Sequence, residues 1–426
     1  MKHALIITYY WPPAGGPGVQ RWLQFVKYFG DFGITPVVYV PENPHYPIID
    51  TSFLSEVPSD IEIIKHPIRE PYALAGLLSK KKTKQISSGI IPNKQISFLE
   101  RLMLYIRGNF FIPDARVGWV KPSIKFLSDY IAKNPVDVVI TTGPPHSLHL
   151  IGMELKKELG LKWIADFRDP WTSIHYFKAL RLSSSSLKKH KALESKVLNE
   201  CDGVVVTSPT TKTEFKELTS TSIEVITNGY VASEGVIPVL DKDFTIAHVG
   251  SLLSERNPEV LWKIFSEIAS ENIDFKKDLK IKLAGVVSTT VIESIFDFGL
   301  EDNCDLIGYV DHSEALKIQY NAQLLLLLEI DREETRSIIP GKLFEYLAAR
   351  RPILGIGPLG SDIQTIINET KSGMYFNPSQ YEELKAGILQ CYSNYKNGTL
   401  ASTSQGIEKY SRRELTRKMA DIIKNI

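Results

Sequence analysis

Cysteine is scarce in this chain of 426 residues, which has only Cys201, Cys304 and Cys391. These three are odd in number, scattered, and without the spacing of zinc ligands, which argues against a disulfide framework and indicates a reducing compartment. Long apolar runs are also lacking: nowhere do about 18 uncharged apolar residues follow one another, so no transmembrane helix is predicted. The apolar run near the N-terminus is too short for a secretory signal. We therefore expect a cytoplasmic protein.

Net charge is nearly absent, because 50 lysines and arginines face 49 aspartates and glutamates. This balance gives no support to nucleic-acid binding by bulk electrostatics. The hydrophobic content of 43% is that of an ordinary globular protein. The length exceeds what one compact core holds and predicts two domains.

The first half opens with strand, loop, helix and strand. Ala4–Tyr9 predicts a strand, and a glycine-rich loop with Gly15 and Gly16 follows it. A helix at Val19–Gly30 and a strand at Val37–Val40 complete the opening of a doubly wound α/β domain. The loop lacks the spaced glycines of a dinucleotide fingerprint and the lysine of a P-loop. It is either a bare tight turn or, as we favour, a place where a ligand approaches the backbone.

Three polar residues follow two further predicted strands. His146 comes after Asp137–Thr142, and Arg168 and Asp169 come after Lys162–Asp166. Open α/β sheets bind ligands at the carboxyl ends of their strands. A lone histidine is more often structural, but three such residues at adjacent strand ends indicate a functional site.

The segment Phe98–Ile112 interleaves apolar residues with Arg101 and Arg107, and the basic run Ser79–Lys84 precedes it. Such a segment is typical of a helix at an anionic membrane surface. A helix that faces the core and has a solvated basic side explains the pattern as well. The sequence leaves both explanations open.

The alternation restarts after a linker predicted at Val231–Lys242. Six strands are predicted, at Thr245–Val249, Lys280–Ala284, Asp305–Ile307, Leu324–Ile330, Ile353–Ile356 and Met374–Phe376. The fold class is therefore α/β, with two facing Rossmann-like, doubly wound domains and an interdomain cleft. We place the domains at residues 1–235 and 236–405. A final helix from about Glu408, within residues 406–426, is expected to pack back on the first domain.

The stretch Pro340–Pro358 predicts a turn, a short helix and a buried strand. The helix start at Gly341 offers unpaired N–H groups and, with Lys342, suits a diphosphate. Glu345, one turn into the helix, has a carboxylate that would accept two hydrogen bonds from a ribose diol. The plainer explanation is that Glu345 favours the helix dipole.

Two other strand ends in the second domain carry candidate residues. Ser251 follows the first strand, with Arg256 nearby at a helix start, and Tyr309 and Val310 follow the third strand. Together with Lys342, the Arg256 cation and the two helix starts would form a diphosphate site.

Several segments, in this order and spacing, resemble the GT-B glycosyltransferases of the retaining family-4 type over nearly the whole length. They are the Gly15-Gly16 loop, CDGVVVTS, ITNG, HVGSLLSERN, IGYVDHSEAL and PGKLFEYLAARRPIL. The resemblance implies a GT-B fold with an N-terminal acceptor domain and a C-terminal domain for a nucleotide-sugar donor. It implies a donor substrate, no cofactor and no metal site.

The resemblance also implies roles for the candidate residues. Gly15 and Gly16 match the loop that approaches the donor phosphates and the acceptor. The diphosphate would be bound at Ser251 and Arg256, the nucleobase at Tyr309 and Val310, and the ribose at Glu345. Gly341 and Lys342 would contact the phosphates. Arg168 aligns with a histidine near the transferring sugar, and Asp169 or His146 would orient substrate.

One position departs from the family pattern. Ser337 stands where the first glutamate of a paired motif is expected, eight residues before Glu345. The leading hypothesis is transfer of a sugar, with retained configuration, from a nucleotide-diphosphate donor to a glycan or glycolipid acceptor in cell-surface polysaccharide synthesis. The partners would be that donor, a glycan or lipid-linked acceptor and an anionic membrane at its inner face, and no nucleic acid. The alternatives are a hydrolysing nucleotide-sugar 2-epimerase and a non-catalytic protein with the same fold.

Overall fold

The computed structural model describes residues 1–70, 98–174, 177, 180–231 and 238–426. The chain divides into two compact units, one comprising Met1–Thr227 with Arg412–Ile426 and the other Asn228–Ser411. The basic run Ser79–Lys84 and half of the predicted linker lie outside the described residues. In the described ranges, no helix combines the length and the apolar character needed to cross a membrane.

In the described residues of the first unit, seven strands form a parallel sheet. In chain order they are β1 Lys2–Ile7, β2 Ile34–Pro41, β3 Glu62–His66, β4 Val138–Gly143, β5 Lys162–Phe167, β6 Gly203–Val206 and β7 Ile223–Val225. The spatial order is β3-β2-β1-β4-β5-β6-β7, so the winding reverses between β1 and β4. Its helices are α1 Pro17–Phe29, α2 Phe98–Phe110, α3 Val120–Ile131, α4 Ser147–Leu159, α5 Ser184–Glu200 and α6 Pro209–Lys216.

The second unit, as far as the structure describes it, repeats this architecture with six parallel strands. They are β8 Phe244–Val249, β9 Leu279–Ala284, β10 Cys304–Gly308, β11 Leu324–Leu328, β12 Ile353–Ile356 and β13 Gly373–Phe376. Their order, β10-β9-β8-β11-β12-β13, reverses the winding between β8 and β11. Its helices are α7 Glu259–Glu271, α8 Ile273–Asp278, α9 Thr289–Asp297, α10 His312–Asn321, α11 Gly341–Ala349, α12 Asp362–Thr370 and α13 Tyr381–Lys396.

The central strands are apolar because parallel sheets are covered on both faces. Every residue of β4 (VVITTG), β8 (FTIAHV) and β11 (LLLLL) is buried. In open sheets of this kind, ligands bind beyond the carboxyl ends of the strands where the winding reverses. Ligand-binding sites are therefore expected at the ends of β1 and β4 in the first unit and at the ends of β8 and β11 in the second.

The last helix, α14, spans Arg412–Asn425 and belongs to the first unit. Leu415, Met419 and Ile423 share a buried cluster with Trp22 and other residues of α1. The predicted start near Glu408 was wrong. A 3-10 turn occupies Ile407–Tyr410, and the extended backbone of Ser411 separates it from the helix.

Candidate functional site

In the second unit, helix α11 begins at the carboxyl edge of the sheet. Its cap residue, Pro340, is extended and provides no side-chain cap, so N–H groups of the first turn remain unpaired by a side chain. Lys342 in this turn reaches the end of β8, where its Nζ lies 3.2 Å from His248 Nε2. A Cβ at Gly250 would lie 2.8 Å from the same Nζ, so the ammonium occupies space that only glycine leaves open there.

Two cations share this edge of the sheet. Burial and, to a smaller extent, the Arg256 cation lower the pKa of Lys342 to about 7, against an opposing effect of Glu345. Burial also lowers the pKa of Arg256, while the nearby Glu329 acts in the opposite direction. In the described part of the chain, Lys342 forms no ion pair. Lys342 and Arg256 therefore create a region of positive potential beside a helix start, which suits an anion.

Glu345 lies on the same helix, beyond its first turn, which contains no acidic residue. The effect of the helix dipole falls off within that turn, so the dipole gives little reason for a glutamate here. Its Oε2 accepts a hydrogen bond of 2.9 Å from Nε2 of Gln319, which is fully buried. Gln319 thus fixes the direction of a partly exposed carboxylate.

The remaining predicted residues of the second unit lie at the same edge. Ser251 is exposed directly after Gly250, whose φ of 113° favours glycine. Tyr309 follows the end of β10 with 88% of its surface exposed, and Val310 packs partly against the core. The ends of β8 and β10 and the start of α11 therefore bring these residues to one side of the unit.

No role was predicted for Glu329, which directly follows the five leucines of β11. Its carboxyl group accepts hydrogen bonds from Ser361 Oγ, at 3.0 Å to both oxygens, and from the Tyr375 hydroxyl. Burial raises the pKa of Glu329 to about 8, so the group is mostly protonated at pH 7. A glutamate immediately after an apolar strand, at its carboxyl end, was the signal that could have identified it.

In the first unit, Arg168 lies between the end of β4 and the first turn of α1. Its Nε donates to Gly143 O at 3.3 Å, and its Nη2 donates to Pro144 O. A Cβ at Gly18 would lie 1.8 Å from Arg168 Nη1. Glycine at position 18 is therefore needed for Arg168 to reach this place, and the sequence did not predict this role.

Gly15 and Gly16 have structural explanations of their own. The Gly15 amide donates to Ile48 O at 3.0 Å, and a Cβ there would lie 2.8 Å from the Ile48 side chain. Gly16 has a φ of 100°, which L side chains rarely adopt. The geometry of the loop thus accounts for both glycines without a ligand.

His146 and Asp169 line one pocket of about 290 Å³, at the carboxyl ends of β4 and β5. Tyr10, Arg107 and Trp171 line it as well. The His146 ring stacks on Trp171 with centroids 4.9 Å apart and planes 3° from parallel. Burial, with the nearby His149 and Arg168, lowers the pKa of His146 well below its ordinary value. A neutral, stacked imidazole suits the orientation of a substrate rather than acid catalysis.

Comparisons with known proteins agree with this architecture. The family described as Glycosyltransferase Family 4 matches residues 91–234, and the family described as Glycosyl transferases group 1 matches residues 243–394. A curated relative, the probable glycosyltransferase WbjE from Pseudomonas aeruginosa, is 22% identical over 252 residues. That match covers 57% of this chain and 63% of the relative, and so spans less than two thirds of its length.

Two solved glycosyltransferase structures share the fold. HepE from Anabaena, solved in complex with UDP-glucose, is similar with a TM-score of 0.59 and 12% identity over 100% of both chains. WaaG, a glycosyltransferase involved in lipopolysaccharide biosynthesis, is similar with a TM-score of 0.55 and 14% identity over 99% of both chains. At these identities the likeness establishes the fold of two Rossmann-like domains. With one family match in each unit and this fold, the chain belongs to the family-4-like glycosyltransferases of the GT-B class.

Proposed function

We propose that this protein transfers a sugar from a nucleoside-diphosphate donor to a hydroxyl of a glycan or glycolipid, in the synthesis of a cell-surface polysaccharide. The donor would bind the second unit, with its diphosphate at Arg256, Lys342, Ser251 and the Gly341 amide. The observation that carries this proposal is the Lys342 ammonium, which is largely buried at a helix start without a carboxylate partner among the described residues. A buried cation of this kind is costly unless an anion binds it.

The ribose and the nucleobase of the donor would bind beside the diphosphate site. Glu345, fixed by Gln319, would accept hydrogen bonds from the ribose hydroxyls. The nucleobase would lie against the backbone at Tyr309 and Val310. HepE, which has the same fold, was solved with UDP-glucose, which supports a nucleotide sugar as the donor. The assignment of Gly15 and Gly16 to the donor rests on the family resemblance alone.

In the proposed reaction, the bond between the anomeric carbon and the diphosphate oxygen breaks, and a bond to the acceptor oxygen forms on the same face. The acceptor proton passes to an oxygen of the leaving diphosphate. The negative charge that develops there would be stabilised by Arg256, Lys342 and the α11 start, and this charge balance requires no metal ion. Configuration at the anomeric carbon is retained.

The acceptor would bind the pocket of the first unit. Trp171 and Tyr10 offer aromatic faces to a sugar ring, and Asp169 offers a hydrogen-bond acceptor for its hydroxyls. His146 and Arg168 would orient the acceptor against the transferring sugar. The likeness to WaaG supports an acceptor that belongs to a surface polysaccharide or lipopolysaccharide.

A thermal-shift screen of UDP-, GDP- and CMP-linked sugars tests the donor proposal, because a ligand stabilises the folded state that binds it. Glu345→Ala is expected to weaken binding of the selected donor by roughly 1.5–3 kcal/mol, since a charged ribose contact is lost. Calorimetry on the folded variant measures this change.

The matched control is Glu382→Ala, because Glu382 is an exposed first-turn glutamate of α13 in the same unit. It should leave donor affinity unchanged. If Glu345→Ala also left it unchanged, Glu345 would have no ribose contact. Incubation of the donor without acceptor separates the remaining activities, since accumulation of an epimerised sugar would identify an epimerase.

We propose further that α2 contacts an anionic membrane at its inner face, where lipid-linked acceptors would be presented. Four large apolar side chains on one side of this helix are 40–72% exposed, namely Leu102, Tyr105, Ile106 and Phe110. Arg101 and Arg107 lie on the same helix. This combination of apolar and basic side chains is typical of helices that lie in the lipid interface.

Phe110→Asp is therefore expected to lower the binding constant for vesicles of phosphatidylcholine and phosphatidylglycerol, measured by co-sedimentation, by at least about tenfold, since burial of one aromatic side chain contributes about 1.5–3 kcal/mol. Leu218→Asp is the control, because Leu218 is an exposed apolar residue elsewhere in the first unit. The proposed contact would be contradicted if wild type and Phe110→Asp bound the vesicles equally, or if binding did not depend on the content of anionic lipid.

A further inference from the structure

The group that holds Lys342 is uncharged. His248 is 1% exposed, and its Nδ1 lies 3.0 Å from the Leu326 carbonyl oxygen. A carbonyl oxygen only accepts hydrogen bonds, so Nδ1 carries the ring proton and Nε2 is left as an acceptor. The Lys342 ammonium, 3.2 Å away, donates to this Nε2.

Several groups around the imidazole keep it neutral. Burial, the Lys342 ammonium and the Arg256 cation lower the pKa of His248 well below its ordinary value, against the carbonyl of Leu326 and the backbone of Ser251. Around Lys342, burial and Arg256 lower the pKa of the ammonium, while Glu345 raises it. At neutral pH, His248 therefore accepts a hydrogen bond and contributes no charge of its own.

An uncharged acceptor differs from a carboxylate in its effect on the charge of Lys342. A carboxylate beside Lys342 would fix the ammonium and also neutralise it, and an incoming anion would then have to displace it. The imidazole fixes the ammonium at the end of β8 and leaves its charge uncompensated. Gly250 adds to this arrangement, because the absence of a Cβ leaves room for Nζ.

We propose that His248 is a positioning residue for donor binding, whose uncharged imidazole directs the Lys342 ammonium toward the donor diphosphate without neutralising it. This inference rests on the proposed function, which supplies the diphosphate. His248 acts through Lys342 and does not contact the substrate.

Three variants test the inference by calorimetry with UDP and uridine, or with GDP and guanosine, according to the base that the wild type binds. His248→Leu is expected to lower affinity for the nucleoside diphosphate about tenfold and to leave affinity for the nucleoside unchanged. His248→Gln should stay within about threefold of wild type, because an amide both donates and accepts. In a Lys342→Met background, His248→Leu should cause no further loss.

Three outcomes would contradict the positioning role of His248. Equal losses in His248→Leu and His248→Gln would mean that the acceptor atom is irrelevant. A parallel loss of nucleoside affinity would assign His248 a general structural role. A loss that persists in the Lys342→Met background would show that His248 does not act through the lysine.

A second measurement needs no nucleotide. Acetylation of Lys342 by acetic anhydride, followed by mass spectrometry across a pH series, reports the pKa of its ammonium. His248→Leu should lower that pKa by about one unit, since the charged form loses its acceptor, and His248→Gln should restore it. If the wild type bound no nucleotide but showed this shift, the proposed function would fail while His248 would remain the group that holds Lys342. An unchanged acetylation profile in His248→Leu overturns the inference.

Discussion

Lys342→Met is expected to lower kcat roughly 100- to 1,000-fold with the donor that the screen selects, since one preorganised cation is lost from the leaving diphosphate. Methionine retains the length and apolar stem of lysine, so the packing between α11 and β8 should survive. Steady-state kinetics and the urea midpoint of the same preparation measure activity and folding separately. Lys263→Met is the control, because Lys263 is an exposed lysine on α7.

The same lysine predicts a pH dependence of donor affinity. The ammonium, with a pKa of about 7, binds the diphosphate in its protonated form, so affinity should fall as the pH rises from 6 to 9. Glu329, with a pKa of about 8, becomes charged near Arg256 over the upper part of this range and acts in the same direction. A UDP-sugar is the suitable probe because its phosphates do not titrate there. Glu329→Gln should remove the upper part of the decline and Lys342→Met the lower part, whereas a flat wild-type profile would contradict both assignments.

Asp166→Ala is expected to destabilise the first unit by about 3–5 kcal/mol, because it leaves a buried guanidinium without its counter-ion. Asp166 is fully buried at the end of β5 and accepts hydrogen bonds of 2.8–2.9 Å from Arg21, Trp22 and Thr142. Five of the six tryptophans lie in the first unit, so urea unfolding followed by tryptophan fluorescence reports mainly on this unit.

Asp421→Ala is the matched control, because Asp421 pairs with Arg417 on the exposed side of α14 in the same unit. Its cost should be at most about 1 kcal/mol. The double variant Asp166→Leu with Arg21→Met removes both buried charges and should recover much of the loss. If Asp166→Ala cost no more than the control, the buried pair would not hold α1 to the sheet.

The strands were predictable because each parallel strand is covered on both faces and reads as a short apolar run. For this reason the predicted Ile353–Ile356 and Lys162–Asp166 nearly coincide with β12 and β5. The segment Glu224–Tyr230 is predicted from the sequence to be a strand that ends in an Asn-Gly turn, whereas β7 ends at Val225. The carbonyl oxygens of the next two residues accept hydrogen bonds from the Arg21 side chain, a contact between distant parts of the chain that no local pattern contains.

Helix α3 was missed because Pro122 interrupts its apolar pattern. Proline is tolerated in a first turn, where the N–H that it lacks would be unpaired in any case.

The residues of the candidate site likewise fall into two groups: those that a local sequence pattern identifies and those that only the fold brings together. Lys342 and Glu345 could be selected from the sequence because a helix start and a helical spacing are local properties. His248 and Gln319, which hold these two side chains, come from β8 and α10, and only the folded sheet brings them to α11. The role of Gly18 could not be predicted for the same reason, since the side chain that occupies the space beside it belongs to Arg168, directly after β5.

The first unit is assembled from both ends of the chain, and this has a consequence for biosynthesis. During translation, the apolar side of α1 with Leu23 and Val26 emerges early, whereas the Leu415 and Met419 side chains of its partner α14 emerge only after the second unit has been synthesised. A nascent chain therefore carries an uncovered apolar surface on its first unit while the second unit is made, which is when aggregation competes with folding. Completion of the first unit has to wait for synthesis of the second, even though most residues of the first unit leave the ribosome earlier.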